Sequence, residues 1–269
     1  MSGQRVTIIN GGTQGLGEAV ARRIARDGGA ALVLTGRSAD RGLVLADELT
    51  AAGTPSVFVC ADIADDSSPQ RIVDAALMAF GVIHQLVNVA ATTTRANLFT
   101  DTLEHFDRQM AVNVRGPYFL IQAVVRAMVE FGVKGSIVNV GSVSGHGGAS
   151  KLTSYAMSKG AMSIMTKNLA FGLMRHGIRV NQVNPGWMDT ESEHQIQLTE
   201  DGASDNWLEL AETARPMKRL VKPWEVANLI ALCLSDDSGL LTGNLIDVDQ
   251  SVQGAGEPPI PTEADTPRP

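Results

Sequence analysis

The stretch Val6-Thr-Ile-Ile-Asn10-Gly11-Gly12-Thr13-Gln14-Gly15-Leu16-Gly17 decides the fold. Its nearly unbroken apolar start, Val6–Asn10, reads as a strand of a parallel sheet covered on both faces. A helix follows from Gly15 to Asp27, with Leu16, Val20 and Ile24 along one side. Between them the glycines fall as G-x-x-x-G-x-G. Glycine permits a tight turn and lets backbone approach a pyrophosphate, while the helix behind aims its N–H groups at the anion. A glycine cluster alone is weak evidence; its place between a strand and a helix makes it informative.

Outward from that turn, apolar runs alternate with helical patterns. Strands are predicted at Ala31–Thr35, Val57–Ala61, Gln85–Asn88, Ser136–Val140, Arg179–Asn184 and Leu245–Val248. Helices are predicted at Asp40–Ala52, Pro69–Phe80, Ser154–His176 and Trp224–Leu234. A long helical stretch runs from about Thr102 to Phe131, with a bend or break at Gly116-Pro117. This alternation implies right-handed crossovers and a doubly wound parallel α/β sheet of about seven strands, Rossmann-type, in three α/β/α layers. Residues 1–252 read as one domain. From Gln253 onward the chain has five prolines and no apolar periodicity, and 253–269 reads as a mobile tail or an arm on a neighbour.

A net charge of −7 with scattered basic residues argues against nucleic acid or an anionic membrane as the main partner. No apolar run approaches the ~20 residues of a membrane span, and the N-terminus enters a strand too soon for a signal peptide. Cys60 and Cys233 read as buried free thiols in a reducing cytosol, hence a cytoplasmic location. The five histidines have no metal-ligand spacing, so no metal is expected.

Ser142, Tyr155 and Lys159 carry the chemistry. Tyr155 and Lys159 stand four apart in Ser-Tyr-Ala-Met-Ser-Lys, on one face of a helix. A phenol beside an ammonium is expected to have a lowered pKa, moving it from ~10 toward the range useful for proton transfer. Ser142 follows the predicted strand Ser136–Val140, at the end where open α/β sheets hold ligands.

With these residues in place, the sequence resembles the short-chain dehydrogenase/reductase family from about Val6 to Asp249. The glycine turn (Gly11, Thr13, Gln14, Gly15, Leu16, Gly17) is similar to that family's T-G-x-x-x-G-x-G, with Asn10 for the threonine. Asn88-Val89-Ala90-Ala91 stands where the family has N-N-A-G. Asn113, Ser142 and the Tyr155/Lys159 pair match its catalytic residues, and Pro185-Gly186 with Thr190 its P-G-x-x-x-T segment. The resemblance implies hydride transfer between a nicotinamide cofactor and a secondary alcohol or ketone. Tyr155 is then the general acid/base. Ser142 donates a hydrogen bond to the substrate oxygen, Lys159 lowers the tyrosine pKa and holds the nicotinamide ribose, and Asn113 holds a water linking Lys159 to solvent. Asp62 and Ile63 resemble the adenine-contacting pair, and Asn88 and Ala90 also fall in the cofactor site. A homotetramer built through the two long helices and the last strand is implied as well.

The second strand ends Thr35-Gly36-Arg37-Ser38. An acid there would bond the ribose hydroxyls and repel a 2′-phosphate. Gly36 stands in its place and Arg37 follows, a residue type suited to phosphate, so NADP(H) is favoured and NAD(H) remains possible. The alternative is a solvated Arg37 and a Ser38 that caps the next helix. Asp189–Glu212 holds eight acidic residues and no Lys or Arg, and reads as an acidic solvated loop in preference to a selectivity element. Trp187 and His146 are candidate pocket residues. Other readings are a catalytically silent nicotinamide sensor, an NAD-preferring polyol or sugar dehydrogenase, and a nucleotide-sugar epimerase or dehydratase. The complete Ser142, Tyr155 and Lys159 set argues against the silent sensor. The short segment after Pro185 argues against the epimerase or dehydratase.

Overall fold

Ile8 and Ile9 are neighbours in one strand and both fully buried, on opposite faces of the sheet. That double burial is what a continuous apolar run produces when helices cover both sides. The structure, a computed structural model, describes residues 4–254. Among them, seven parallel strands form one sheet: β1 (Arg5–Asn10), β2 (Ala30–Gly36), β3 (Ser56–Cys60), β4 (Gln85–Asn88), β5 (Ser136–Val140), β6 (Arg179–Pro185) and β7 (Leu245–Val248). Their order is β3-β2-β1-β4-β5-β6-β7. Helices α1 (Gly15–Asp27) and α2 (Ala39–Ala51) cover one face with α9 (Pro223–Leu234). Helices α3 (Ser68–Phe80), α5 (Gly116–Glu130) and α6 (Thr153–Leu173) cover the other. The expected three-layer, doubly wound sheet is therefore the observed one. No described helix is long and apolar enough to cross a membrane.

Two expectations are corrected and one is met. The long helical stretch is interrupted on reaching Gly116-Pro117. It runs as α4 (Leu103–Met110), a π turn over Ala111–Arg115, and α5, and in the π turn the Gly116 N–H donates to Ala111 O five residues back. Pro117 has no N–H to close an α-helical bond onto Asn113, so the irregularity takes up the turn that ends directly before Gly116-Pro117. The stretch expected as a solvated loop holds two helices, α7 (Glu191–Thr199) and α8 (Trp207–Thr213). Cys60, expected buried, is exposed at the end of β3, whereas Cys233 is buried. The expected tail lies outside the described residues beyond Gly254.

A polar ladder crosses the sheet at one rung. Thr35, Asn10, Asn88, Asn139 and Gln182 stand opposite one another on five neighbouring strands. Thr35 Oγ1 donates to Asn10 Oδ1 (3.2 Å), Asn10 Nδ2 to Asn88 Oδ1 (3.2 Å) and Asn88 Nδ2 to Asn139 Oδ1 (3.0 Å). Asn139 Nδ2 then donates to Thr166 Oγ1 of α6 (2.9 Å), which donates to Gln182 Oε1 (3.0 Å). All six are buried. Satisfied amides avoid the cost of burial without a partner, and their directionality pins the strand register near the site.

Candidate active site

The sheet order reverses between β1 and β4, and the glycine turn lies at that switch point, where open α/β sheets bind ligands. Gly11 has φ +85°, and a Cβ there would fall 2.6 Å from the Ala90 nitrogen. A Cβ on Gly17 would overlap the Gly11 carbonyl oxygen. Only glycine lets β1, the β4 loop and α1 approach this closely. Leu16 is buried beneath the turn, and Thr13 packs against Gly36. Thr190 lies across the turn, its Cγ2 4.0 Å from where a Gly15 Cβ would stand. Its hydroxyl accepts the Glu193 N–H (3.2 Å) and so caps α7. Pro185 ends β6, and the Gly186 N–H donates to Val248 O (2.9 Å). A glycine cradle at a helix N-terminus, at the carboxyl ends of the strands, has the shape and donor set for a dinucleotide pyrophosphate.

Beside that cradle, Arg37 is exposed just after β2, and Ser38 stands at the N-cap of α2 without a side-chain cap bond. The sequence reading missed Arg41. Its guanidinium reaches Gln14 Oε1 (3.0 Å) in the glycine turn and Glu191 (3.1 Å) on α7. A cation in the first turn of a helix opposes the helix dipole, which was the available signal that Arg41 has a partner elsewhere. Asp62 accepts from Arg108 (2.7 Å) and from the Ala64 N–H (3.0 Å). Burial works to raise its carboxyl, but Arg108 and the Ala64 amide outweigh this and hold it below the usual range. Ile63 is buried beside it. The Asn88 side chain is committed to the ladder, and Ala90 meets the turn through its backbone, its N–H donating to Asn10 O (2.8 Å).

Tyr155 and Lys159 both lie buried on α6. The ammonium sits 5.6 Å from the Tyr155 ring centroid and donates to Val140 O (2.8 Å) at the end of β5. Burial pushes Tyr155 up to about 12, opposed in part by hydrogen bonding to Ser142 and by the charge of Arg95. The lowered phenol expected from the Tyr155/Lys159 spacing is thus reversed: desolvation dominates, and the hydrogen bond of the neighbouring cation goes to a carbonyl. Burial brings Lys159 itself down to about 8. Ser142 also caps a short 3₁₀ turn (Val143–His146), its Oγ accepting the Ser144 N–H (3.1 Å). Asn113 makes no hydrogen bond to Lys159. It exchanges bonds with the Thr92 backbone (2.9 and 3.0 Å) and donates to Gln109 and to Ser158 Oγ (both 3.0 Å). Ser158 in turn donates to Tyr155 O (2.7 Å). Asn113 therefore ties the loop after β4 to the first turns of α6.

The acidic segment is a cap built from ion pairs. Asp189 pairs with Lys222 (2.8 Å) and is hydrogen-bonded to His194 Nε2 (2.8 Å), Glu212 pairs with Lys222 (3.2 Å) and Glu191 with Arg41. Glu193 and Asp201 pair with Arg95 (3.0 and 3.4 Å), which the sequence reading had also passed over. Trp187 and Trp207 stack at 5.9 Å, with the Arg215 guanidinium 5.1 Å over Trp187. Trp187, Trp207, Ala211 and Leu220 give the cap a small core of its own. Of the two candidate pocket residues, Trp187 belongs to this cap. His146 instead turns toward β7 and bonds Asp247 (3.0 Å).

The parallel sheet with a glycine cradle at its switch point defines a Rossmann-type, dinucleotide-binding class of α/β protein. The family model described as enoyl-(acyl carrier protein) reductase matches residues 11–252, and the chain belongs to the short-chain dehydrogenase/reductase family. An uncharacterized oxidoreductase of Thermotoga maritima is 34% identical over 91% of this chain and 96% of the relative. An NAD+-bound xylitol dehydrogenase structure superposes with a TM-score of 0.84 at 26% identity, over 93% of this chain and 99% of that one. A single-site variant of actinorhodin polyketide ketoreductase with NADPH gives a TM-score of 0.87 at 26% identity, over 93% and 98%.

Proposed function

We propose that this enzyme interconverts a secondary alcohol and its ketone, with Tyr155 as general acid/base and with NADP(H) preferred. The observation that carries the reading is the buried Tyr155, flanked by Ser142 and Lys159 at the carboxyl ends of the strands. A nicotinamide dinucleotide would be held by Gly11, Thr13, Gln14, Gly15, Leu16 and Gly17, with Pro185, Gly186 and Thr190 opposite, and would supply or receive the hydride. In reduction, the Tyr155 hydroxyl gives its proton to the carbonyl oxygen as the carbonyl carbon gains hydride, and the phenolate takes a proton back from solvent. Since burial keeps the phenol protonated at neutral pH, it stands ready as the acid. The Ser142 hydroxyl donates to the same substrate oxygen as negative charge develops there. Lys159 places a buried cation beside the transient phenolate, and Asn113 positions that turn of α6 through Ser158.

Arg37 and the absence of an acid at Gly36 support NADP(H), and Arg41 beside Gln14 adds a second cation on that side. Both nicotinamide forms occur among the structural relatives, one solved with NAD+ and one with NADPH. Met157, Ile164 and Phe171, seven apart, form an exposed apolar stripe along α6, which supports assembly of copies through the long helices, as in a homotetramer. The reading takes residues 1–252 as one catalytic domain in the cytoplasm. Tyr155→Phe tests it: turnover of alcohols and ketones is expected to vanish while fluorescence titration still detects bound cofactor. Near-normal turnover by that variant would refute the assignment.

A further inference from the structure

Glu193 sits on the cap helix α7, three residues after Thr190. Three donors converge on its Oε1: Arg95 Nη2 (3.0 Å), Trp187 Nε1 (2.8 Å) and Gln197 Nε2 (2.9 Å). Its Oε2 accepts no hydrogen bond from the described residues and keeps access to solvent. Arg95 is fixed next to the reacting end of α6. The neighbouring Ala96 pairs with Leu152, and its N–H donates to Lys151 O (3.1 Å), three to four residues before Tyr155. The charges of Arg95 and Glu193 both act on the Tyr155 phenol. Around the single guanidinium of Arg95 stand Glu193, Asp201 and Glu200, the last accepting the Arg95 backbone N–H (3.1 Å). This wall of the cap is therefore net negative, with the Glu193 carboxylate fixed through Oε1 and its Oε2 left without a donor among the described residues.

We infer that Glu193 is a specificity-determining residue: its free oxygen accepts a hydrogen bond from a hydroxyl on the substrate, selecting neutral hydroxylated alcohols and ketones over carboxylates. The inference rests on the oxidoreductase reading above. A pre-oriented charged acceptor discriminates against a substrate that lacks the donor, because the acceptor then loses a charge-assisted hydrogen bond. A carboxylate brought to the same wall meets like charge, which specificity by repulsion uses.

Matched ketones test this, each offered as the parent, the α-hydroxy ketone and a carboxylate-bearing ketone, with NADPH and NADH, to the wild type, Glu193→Gln and Glu200→Gln. In the wild type, kcat/KM for the hydroxy ketone is expected to exceed that for the parent by about tenfold or more, and the carboxylate to be disfavoured by a similar factor. Glu193→Gln keeps the size of the side chain and should collapse both ratios by about tenfold. Glu200→Gln should leave the hydroxy-ketone ratio as it is and relax only the discrimination against the carboxylate. Ratios taken within one protein cancel any difference in folded fraction, so a merely structural role would not move them. Flat ratios in the wild type, ratios within threefold of wild type in Glu193→Gln, or an equal collapse of the hydroxy-ketone ratio in Glu200→Gln would overturn the inference alone. Wild-type silence toward every ketone with both cofactors would instead overturn the oxidoreductase reading, and this inference with it.

Discussion

Replacing Lys159 with methionine should stabilise the cofactor-free protein at pH 7 while abolishing turnover. Lys159 is 1% exposed, and among the described residues its ammonium has one hydrogen bond, to Val140 O. Burial brings its pKa from the ordinary 10.5 down to about 8. Each pH unit of such a difference is worth about 1.4 kcal/mol, so the buried cation destabilises the fold by roughly 3 kcal/mol at pH 7. Methionine fills a similar volume and removes that burden. It leaves Val140 O without its partner, which costs about 1–2 kcal/mol. The net gain is about 1–2 kcal/mol, a rise in Tm of roughly 2–6 °C for a chain of this size. Because the folded-state pKa lies below the unfolded one, the penalty is full below pH 8, shrinks from pH 8 to 10.5 and vanishes above. The wild type should therefore catch up with the variant as pH rises through that window. Thermal unfolding of both proteins at pH 7 and pH 10 reads the effect. A variant that melts below wild type at pH 7, or an offset unchanged at pH 10, would refute the account of Lys159 as a cation held at a cost in stability.

Two further outcomes are expected. Asn139→Leu should destabilise the fold by about 2–4 kcal/mol in urea titration, because Asn88 Nδ2 loses its acceptor inside the sheet; a loss below about 1 kcal/mol would mean the ladder is not an energetic unit. Arg37→Glu should turn the ratio of kcat/KM for NADPH over NADH against NADPH by tenfold or more, through repulsion of the 2′-phosphate; an unchanged ratio would remove Arg37 from that role.

The parts of this protein legible in its sequence are those written in short-range patterns. The run Val6–Asn10, the glycines after it and the apolar face of α1 each state their conformation locally, and repetition of that unit sets the parallel sheet. Tyr155 and Lys159 are legible for the same reason, since four residues on a helix bring two side chains to one face wherever the helix lies. Asn113 was picked out as a residue, but not for the bonds to Thr92 and Ser158 that it makes.

What the local pattern does not encode is which distant groups meet and how much water is left between them. Helices α7 and α8 looked like a solvated acidic loop because Arg41, Arg95 and Lys222, the cations that fix the segment, lie outside it in the chain. The amide ladder exists only once five strands stand in one register. The proximity of Tyr155 to a lysine argued for an acidic phenol, yet proximity fixes only the Coulomb contribution. Burial is a property of the assembled structure, and here it pushes the phenol up and the ammonium down. Sequence thus determined the element pattern, the glycine cradle and the Tyr155/Lys159 pair, whereas the cap, the ladder and the proton affinities were decided by tertiary packing, because pairing across the chain and loss of water are set only when the elements come together.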